Sequence, residues 1–273
     1  MTRFILRAAG LFIAIAASLP CVARADLQLA DVIPSVVYLH GISRAADKPT
    51  LLAGTGFLVT KDDQYFIVTA QHVAQALPPE TMATFRNRNG EAVSFEVSGL
   101  HADPAAWVWH PEADVAAMRV VLPAGDAPAA VVAVAFDQLA KKDEAPGVDT
   151  VLTVVGFPLN LATEGKFSPV IKSAHPASEL FRHDRFDKHV ETTMFVLDDP
   201  TIAAFRGAPA FQLPYVRSGG VGVIQAKFAC VGLIHGTLTD RSGGQYAAVV
   251  PAFYIAETVR LASRAAPPAE APK

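Results

Sequence analysis

Cysteine is almost missing from the chain, whose 273 residues hold only Cys21 and Cys230. Cys21 falls within residues 1–25, where Arg3 and Arg7 precede an apolar run over residues 8–19 and Ala23-Arg24-Ala25 offers a small-residue cleavage site. That order of charge, apolar stretch and small residues is the pattern of a secretory signal. With it removed, Cys230 stands alone and cannot form an intramolecular disulfide, so the core must hold the fold without covalent help even in an oxidising compartment. Cys230 lies in a strand-like run and reads as buried apolar filler. Long apolar runs are the second lack. The run over residues 8–19 is shorter than the roughly 20 residues a spanning helix needs, and no other stretch approaches that length, so the mature protein is expected to have no membrane span and to be periplasmic or secreted. An excess of basic charge is the third. The chain after residue 25 carries 20 basic and 26 acidic side chains, a formal charge of −6, which argues against nucleic acid as a partner. Internal repeats and a glycine-rich phosphate loop are absent too. The mixed-charge stretch 182–189 has histidines without ligand-spaced partners and reads as an exposed loop, so neither a metal nor a cofactor is expected.

What is present is globular in character, with 51% apolar and 18% charged residues. Residues 54–73 read as a hairpin that delivers a histidine. Gly54 and Gly56 flank Thr55 where backbones must pack closely, Phe57, Leu58 and Val59 form an apolar run, and Lys61-Asp62-Asp63-Gln64 supplies a polar turn. Phe66, Ile67, Val68 and Thr69 return as a strand, and residues 70–76 shift toward a short helix, which puts His72 just beyond a strand end. A first strand is expected from Val32 and Ile33 to Leu39, two more over residues 84–100 turned at Asn87-Arg88-Asn89-Gly90, and another after Asp114. Residues 123–147 turn to Ala, Pro, Asp and Lys and mark a boundary between two halves. A second strand series follows over 148–156, 169–173, 192–197, 208–213, 229–236 and 245–250. Residues 252–263 form the one long helix, with Ile255, Val259 and Ala262 on its buried face. The expected division is a signal at 1–25, a first β-half at 26–140, a second at 141–251, a helix at 252–264 and a disordered Ala/Pro tail at 265–273.

Gly-Thr-Gly-Phe followed by Val-Thr-Ala-Gln-His-Val resembles the segment that carries the general-base histidine in trypsin-like serine proteases, in particular their bacterial envelope members. The residues around Asp114, Ala113-Asp114-Val115-Ala116, resemble the segment carrying the triad aspartate. Val155-Gly156-Phe157-Pro158, Val231-Gly232-Leu233-Ile234-His235-Gly236 and Ala247-Ala248-Val249-Val250-Pro251 follow in the family's order. The resemblance implies an all-β fold, a chymotrypsin-like double six-stranded antiparallel β-barrel with a C-terminal helix. It also makes His72 the base, Asp114 its acid and Ile234, His235 and Gly236 the strand that meets substrate.

The nucleophile breaks the pattern. In the family it sits in a turn written roughly Gly-x-Ser-Gly-x-Pro, and the matching residues here are Ala204-Phe205-Arg206-Gly207-Ala208-Pro209. Arg206 occupies the serine place, and a guanidinium is always protonated and cannot attack a carbonyl. Ala204 replaces the glycine that opens the oxyanion hole, whose turn comprises Ala204, Phe205 and Gly207. A competing alignment puts Ser218, of Arg217-Ser218-Gly219-Gly220, in the nucleophile role, although Ser-Gly-Gly is also the wording of an ordinary hairpin tip. Three functions follow from these alternatives: a catalytically impaired homologue that binds peptide or protein in its cleft, an active serine endopeptidase using Ser218, and a structural partner-binding module of the cell envelope.

Overall fold

The computed structural model describes residues 29–44, 48–100, 107–123, 133–141, 143–158, 165–185, 187–200, 205–214 and 227–264. The expected signal and tail, together with Ala204 and Ser218, lie outside them. The described strands form two sheets. The first contains β1 (Val36–Ser43), β2 (Thr50–Lys61), β3 (Gln64–Thr69), β4 (Met82–Arg86), β5 (Ala92–Glu96), β6 (Val108–Trp109), β7 (Ala116–Val120) and β8 (Val134–Ala135). Their order is β5-β4-β1-β2-β3-β7-β6, with β8 added to β2 by a short parallel pairing. The second contains β9 (Leu152–Gly156), β10 (Val170–Ala174), β11 (Phe181–Asp184), β12 (Glu191–Leu197), β13 (Pro209–Gln212), β14 (Ala229–Thr239) and β15 (Gln245–Pro251), in the order β10-β9-β13-β14-β15-β12-β11. The other pairings between strands are antiparallel. This is the layout of a chymotrypsin-like double barrel, in which the two-residue pieces β6 and β8 bring the first sheet to eight strands and the second has seven.

The β2–β3 hairpin explains why its strands read as continuous apolar runs. Phe57, Val59, Phe66 and Val68 belong to one core cluster, while Leu58 and Ile67 belong to another. Successive side chains on a strand point to opposite faces, and here both faces are covered. One face fills the interior of the first sheet with Val37, Leu39, Phe85 and Met118. The other meets Phe157, Phe211, Leu233 and Val250 of the second sheet and Ile255 and Val259 of the helix. Each fully buried Phe, Leu or Ile contributes roughly 1.5–3 kcal/mol, so this shared cluster holds the halves against each other. At the hairpin tip Asp62 and Asp63 both have positive φ, 49° and 58°, as a two-residue type I′ turn requires.

The first strand starts later than the sequence suggests. Residues Leu29–Val32 form a short helix α1 followed by a 3-10 turn over Ile33–Ser35, because Pro34 has no N–H for a ladder and the Ser35 hydroxyl donates to the Val32 carbonyl at 2.7 Å. A second short helix, α2 (Gln71–Ala76), follows β3, and α3 (Ala252–Arg264) ends the described chain with Ile255, Val259 and Ala262 buried. Cys230 is fully buried in β14, and burial pushes its thiol up to about 12. Native protein is therefore expected to resist iodoacetamide at pH 8, with Cys230 alkylated only in denaturant. Mass spectrometry of both samples checks this.

Candidate active site

Asp114 lies at the end of the short connection between β6 and β7, and the connection is shaped by His110. The His110 Nδ1 accepts the backbone N–H of Glu112 at 3.1 Å and of Ala113 at 2.9 Å, and its Nε2 meets Glu257 of α3 at 3.0 Å. This turns Asp114 inward until it is completely buried. His72 enters from the first turn of α2. The Asp114 Oδ2 lies 2.6 Å from His72 Nδ1, and Oδ1 accepts the His72 backbone N–H at 3.0 Å. The two residues that the sequence singles out are thus hydrogen-bonded through both ring and main chain. A carboxylate on Nδ1 holds the proton there and leaves Nε2 with its lone pair, the arrangement a general base needs.

Two further side chains reach the same carboxylate, and both come from the second sheet. His235, fully buried at the bulge of β14, places its Nδ1 2.6 Å from Asp114 Oδ2. Its ring stands edge-on to that of His72, with centroids 5.7 Å apart. The Arg185 Nη2 donates to Oδ1 at 3.1 Å. Burial by itself would raise the Asp114 pKa, but the hydrogen bonds from His235 and His72 and the charge those rings can carry hold it far below the ordinary carboxylate value. His235 is fully buried and its Nδ1 is turned to Asp114. The exposed-loop reading of residues 182–189 is corrected: His183 and His189 are exposed, whereas β11 pairs with β12 and Arg185 is buried. No sequence signal marked Arg185, because a lone arginine in a polar stretch carries no periodicity. His40, bonded to Thr84 at 3.1 Å, and His175, 3.2 Å from Asp198, stand apart from this cluster.

His72, Asp114 and His235 are also the one group among the described residues with the composition of a metal site. The spacing does not favour that use. Ligands at about 2.0–2.1 Å around a tetrahedral zinc sit roughly 3.3 Å from one another, whereas both Nδ1–Oδ2 separations here are 2.6 Å, and a guanidinium already occupies the neighbouring oxygen.

The turn at residues 205–208 packs directly ahead of His72. Ala208 N–H donates to the Phe205 carbonyl at 2.8 Å, and Gly207 has φ +84°, as the third residue of a type II turn requires. Thr55 N–H donates to the Arg206 carbonyl at 3.0 Å, and Gly207 N–H donates to Ile234 at 2.8 Å. The close packing expected of residues 54–56 is found here. Thr55 receives Phe157 N–H on its hydroxyl at 3.0 Å and the Thr69 hydroxyl on its carbonyl at 2.7 Å, so this one buried residue ties the turn, β3 and β9 together. Arg206, at the second position of this turn, is exposed. Asp198 is engaged by His175 and Asp199 by Lys172 at 2.8 Å. Beyond Ile234, β14 pairs with β15 through Gly236 and Ala248, whereas its ladder with β13 stops at Leu233.

The family model described as Trypsin-like peptidase domain matches residues 54–214. The crystal structure of the Rv3671c protease from M. tuberculosis in its active form is similar at 17% identity and a TM-score of 0.55, over 88% of this chain and 86% of that one. An inactive form of the same protein, carrying a serine-to-alanine substitution, is similar at 17% identity and a TM-score of 0.52, over 88% of this chain and 92% of that one. At such identity the likeness carries the fold. No curated protein matches the chain in sequence. Among the described residues no helix is long and apolar enough to cross a membrane.

Proposed function

Because the chain belongs to the trypsin-like peptidase family, we propose that it is a catalytically impaired member, in which Arg206 stands in the nucleophile place and the cleft binds peptide or protein. The observation that supports this reading is the position of the turn. The Arg206 carbonyl is held by Thr55, and a Cβ added at Gly207 would overlap the Thr69 hydroxyl and lie 3.0 Å from the Ala70 nitrogen, so the turn packs against the segment that leads into His72. On this reading the serine place, beside the segment that leads into His72, holds a side chain that cannot attack a carbonyl. The base and its acid are retained, and loss of the nucleophile alone costs on the order of 10⁶ in turnover where it has been measured in subtilisin. Binding is expected to survive that loss, since a peptide strand can add by main-chain pairing along β14 beyond Ile234, whose own N–H and carbonyl are taken by Ala208 and Gly207. Arg206 offers such a ligand a fixed positive charge.

The signal-like residues 1–25 support export to the periplasm or the medium. A fluorophosphonate probe is expected to leave the protein unlabelled. Arg206→Ser is expected to recover little hydrolysis, since Ala204 lacks the freedom of glycine at the oxyanion turn. Labelling of the native protein on any serine, Ser218 above all, would overturn the reading in favour of an active endopeptidase.

A further inference from the structure

The tip that joins β11 to β12 brings Arg185 from the second sheet into the acid of the first. We propose that Arg185 is a positioning residue: by gripping one oxygen of Asp114 it fixes the carboxylate that orients His72 and His235, and together with Asp187 it sets how much negative charge those rings meet. Taking a guanidinium fully out of water costs several kcal/mol unless its donors find acceptors, and here each of its three nitrogens has at least one. Nη1 donates to the Glu112 carbonyl at 3.2 Å, and Nη2 to Gln71 Oε1 and Asp114 Oδ1, each at 3.1 Å. Asp187 closes the fork, accepting from Nε at 2.9 Å and from Nη2 at 2.5 Å. Gln71 is the residue before His72, and Glu112 stands two before Asp114. One planar group thus grips both segments that carry the acid–base pair.

The tip itself is pinned, with Arg185 N–H donating to Val190 at 2.9 Å and His189 N–H to the Arg185 carbonyl at 2.8 Å. The charged and titratable side chains that meet at this point are Asp114 from the β6–β7 connection, His72 from α2, His235 from β14, and Arg185 and Asp187 from the tip. His110 and Glu257 stand behind the connection. Arg185 and Asp187 nearly cancel, which leaves the two rings facing about one negative charge. Removing Arg185 would present them with two carboxylates. Removing the Asp187 charge would leave Asp114 cancelled by the guanidinium.

The two changes therefore act on His72 with opposite sign, which a purely structural role would not produce. The ring Cε1–H signals of His72 and His235 are to be followed against pH by NMR in the full chain. Arg185→Gln is expected to raise the His72 midpoint by about one pH unit and Asp187→Asn to lower it by a similar amount. Shifts of the same sign, or none in either folded variant, would overturn the proposal. Should Arg185→Gln fail to fold, Asp187→Asn decides alone, with a fall in favour and an unmoved midpoint against. None of this depends on which residue holds the nucleophile place, so a labelled serine would end the preceding reading and leave this one standing.

Discussion

Asp114→Ala is expected to lower stability by about 3–5 kcal/mol at pH 7, the cost of removing one partner from a buried charged cluster. The side chain is the acceptor for four donors, two on each oxygen: the His72 N–H and Arg185 on Oδ1, and both imidazoles on Oδ2. Four sites is the capacity of an ionised carboxylate, so alanine takes an acceptor from all four at once and leaves the buried guanidinium with Gln71 and Asp187 only on Nη2. The pH dependence has a definite sign. The folded pKa of Asp114 lies well below the ordinary value of 3.8. Its contribution is therefore fully present above about pH 4 and is lost as pH falls below that value toward the folded pKa. The wild-type advantage over Asp114→Ala should shrink steadily in the acid range. Urea midpoints of both proteins at pH 7 and at pH 3 measure this, and an advantage unchanged at pH 3 would contradict it.

Gly207→Ala is expected to cost about 3 kcal/mol or more and to disable the cleft. Two effects add. A φ of +84° strains any side chain by roughly 1–2 kcal/mol. The new Cβ would also overlap the Thr55 carbonyl and the Thr69 hydroxyl, and overpacking of this kind typically costs 1–3 kcal/mol. Relief is hard to find, because those two oxygens are bonded to each other and Thr55 N–H holds the Arg206 carbonyl. The added methyl must push the turn away from the base or part the two sheets. A lowered urea midpoint with loss of peptide binding is the expected result. Gly165→Ala makes the control, since that glycine also has positive φ, +83°, but meets nothing within 4 Å; it should lose only the backbone share.

Much of the site was legible because it is local. The His72 hairpin announces itself in two apolar runs around a polar turn, and Lys61↔Gln64 is the closing pair in the structure. The strands 192–197, 229–236 and 245–250 fall within a few residues of β12, β14 and β15. Asp114 was found through the wording around it, which does not show what else binds its oxygens. The first strand was misjudged at its start since Val32 and Ile33 look like strand residues until Pro34 is given its weight. The strand β11 was missed because Arg182, His183 and Asp184 carry no apolar alternation; it is held by backbone pairing and by the exposed Arg182–Glu191 ion pair.

The amino-acid order by itself determined the hairpins, the long terminal helix, the burial of Cys230 in a strand and the His72–Asp114 pair, each written in neighbours along the chain or in a family's wording. Only the tertiary structure decided that His235 and Arg185 converge on Asp114 from 121 and 71 residues away. Strand alternation tells which face a side chain occupies and is silent about what that face will meet. An arginine in a polar stretch reads as exposed because its burial is tolerable only with partners, and beyond the neighbouring Asp187, Gln71, Glu112 and Asp114 become its partners only once the two sheets have closed on each other.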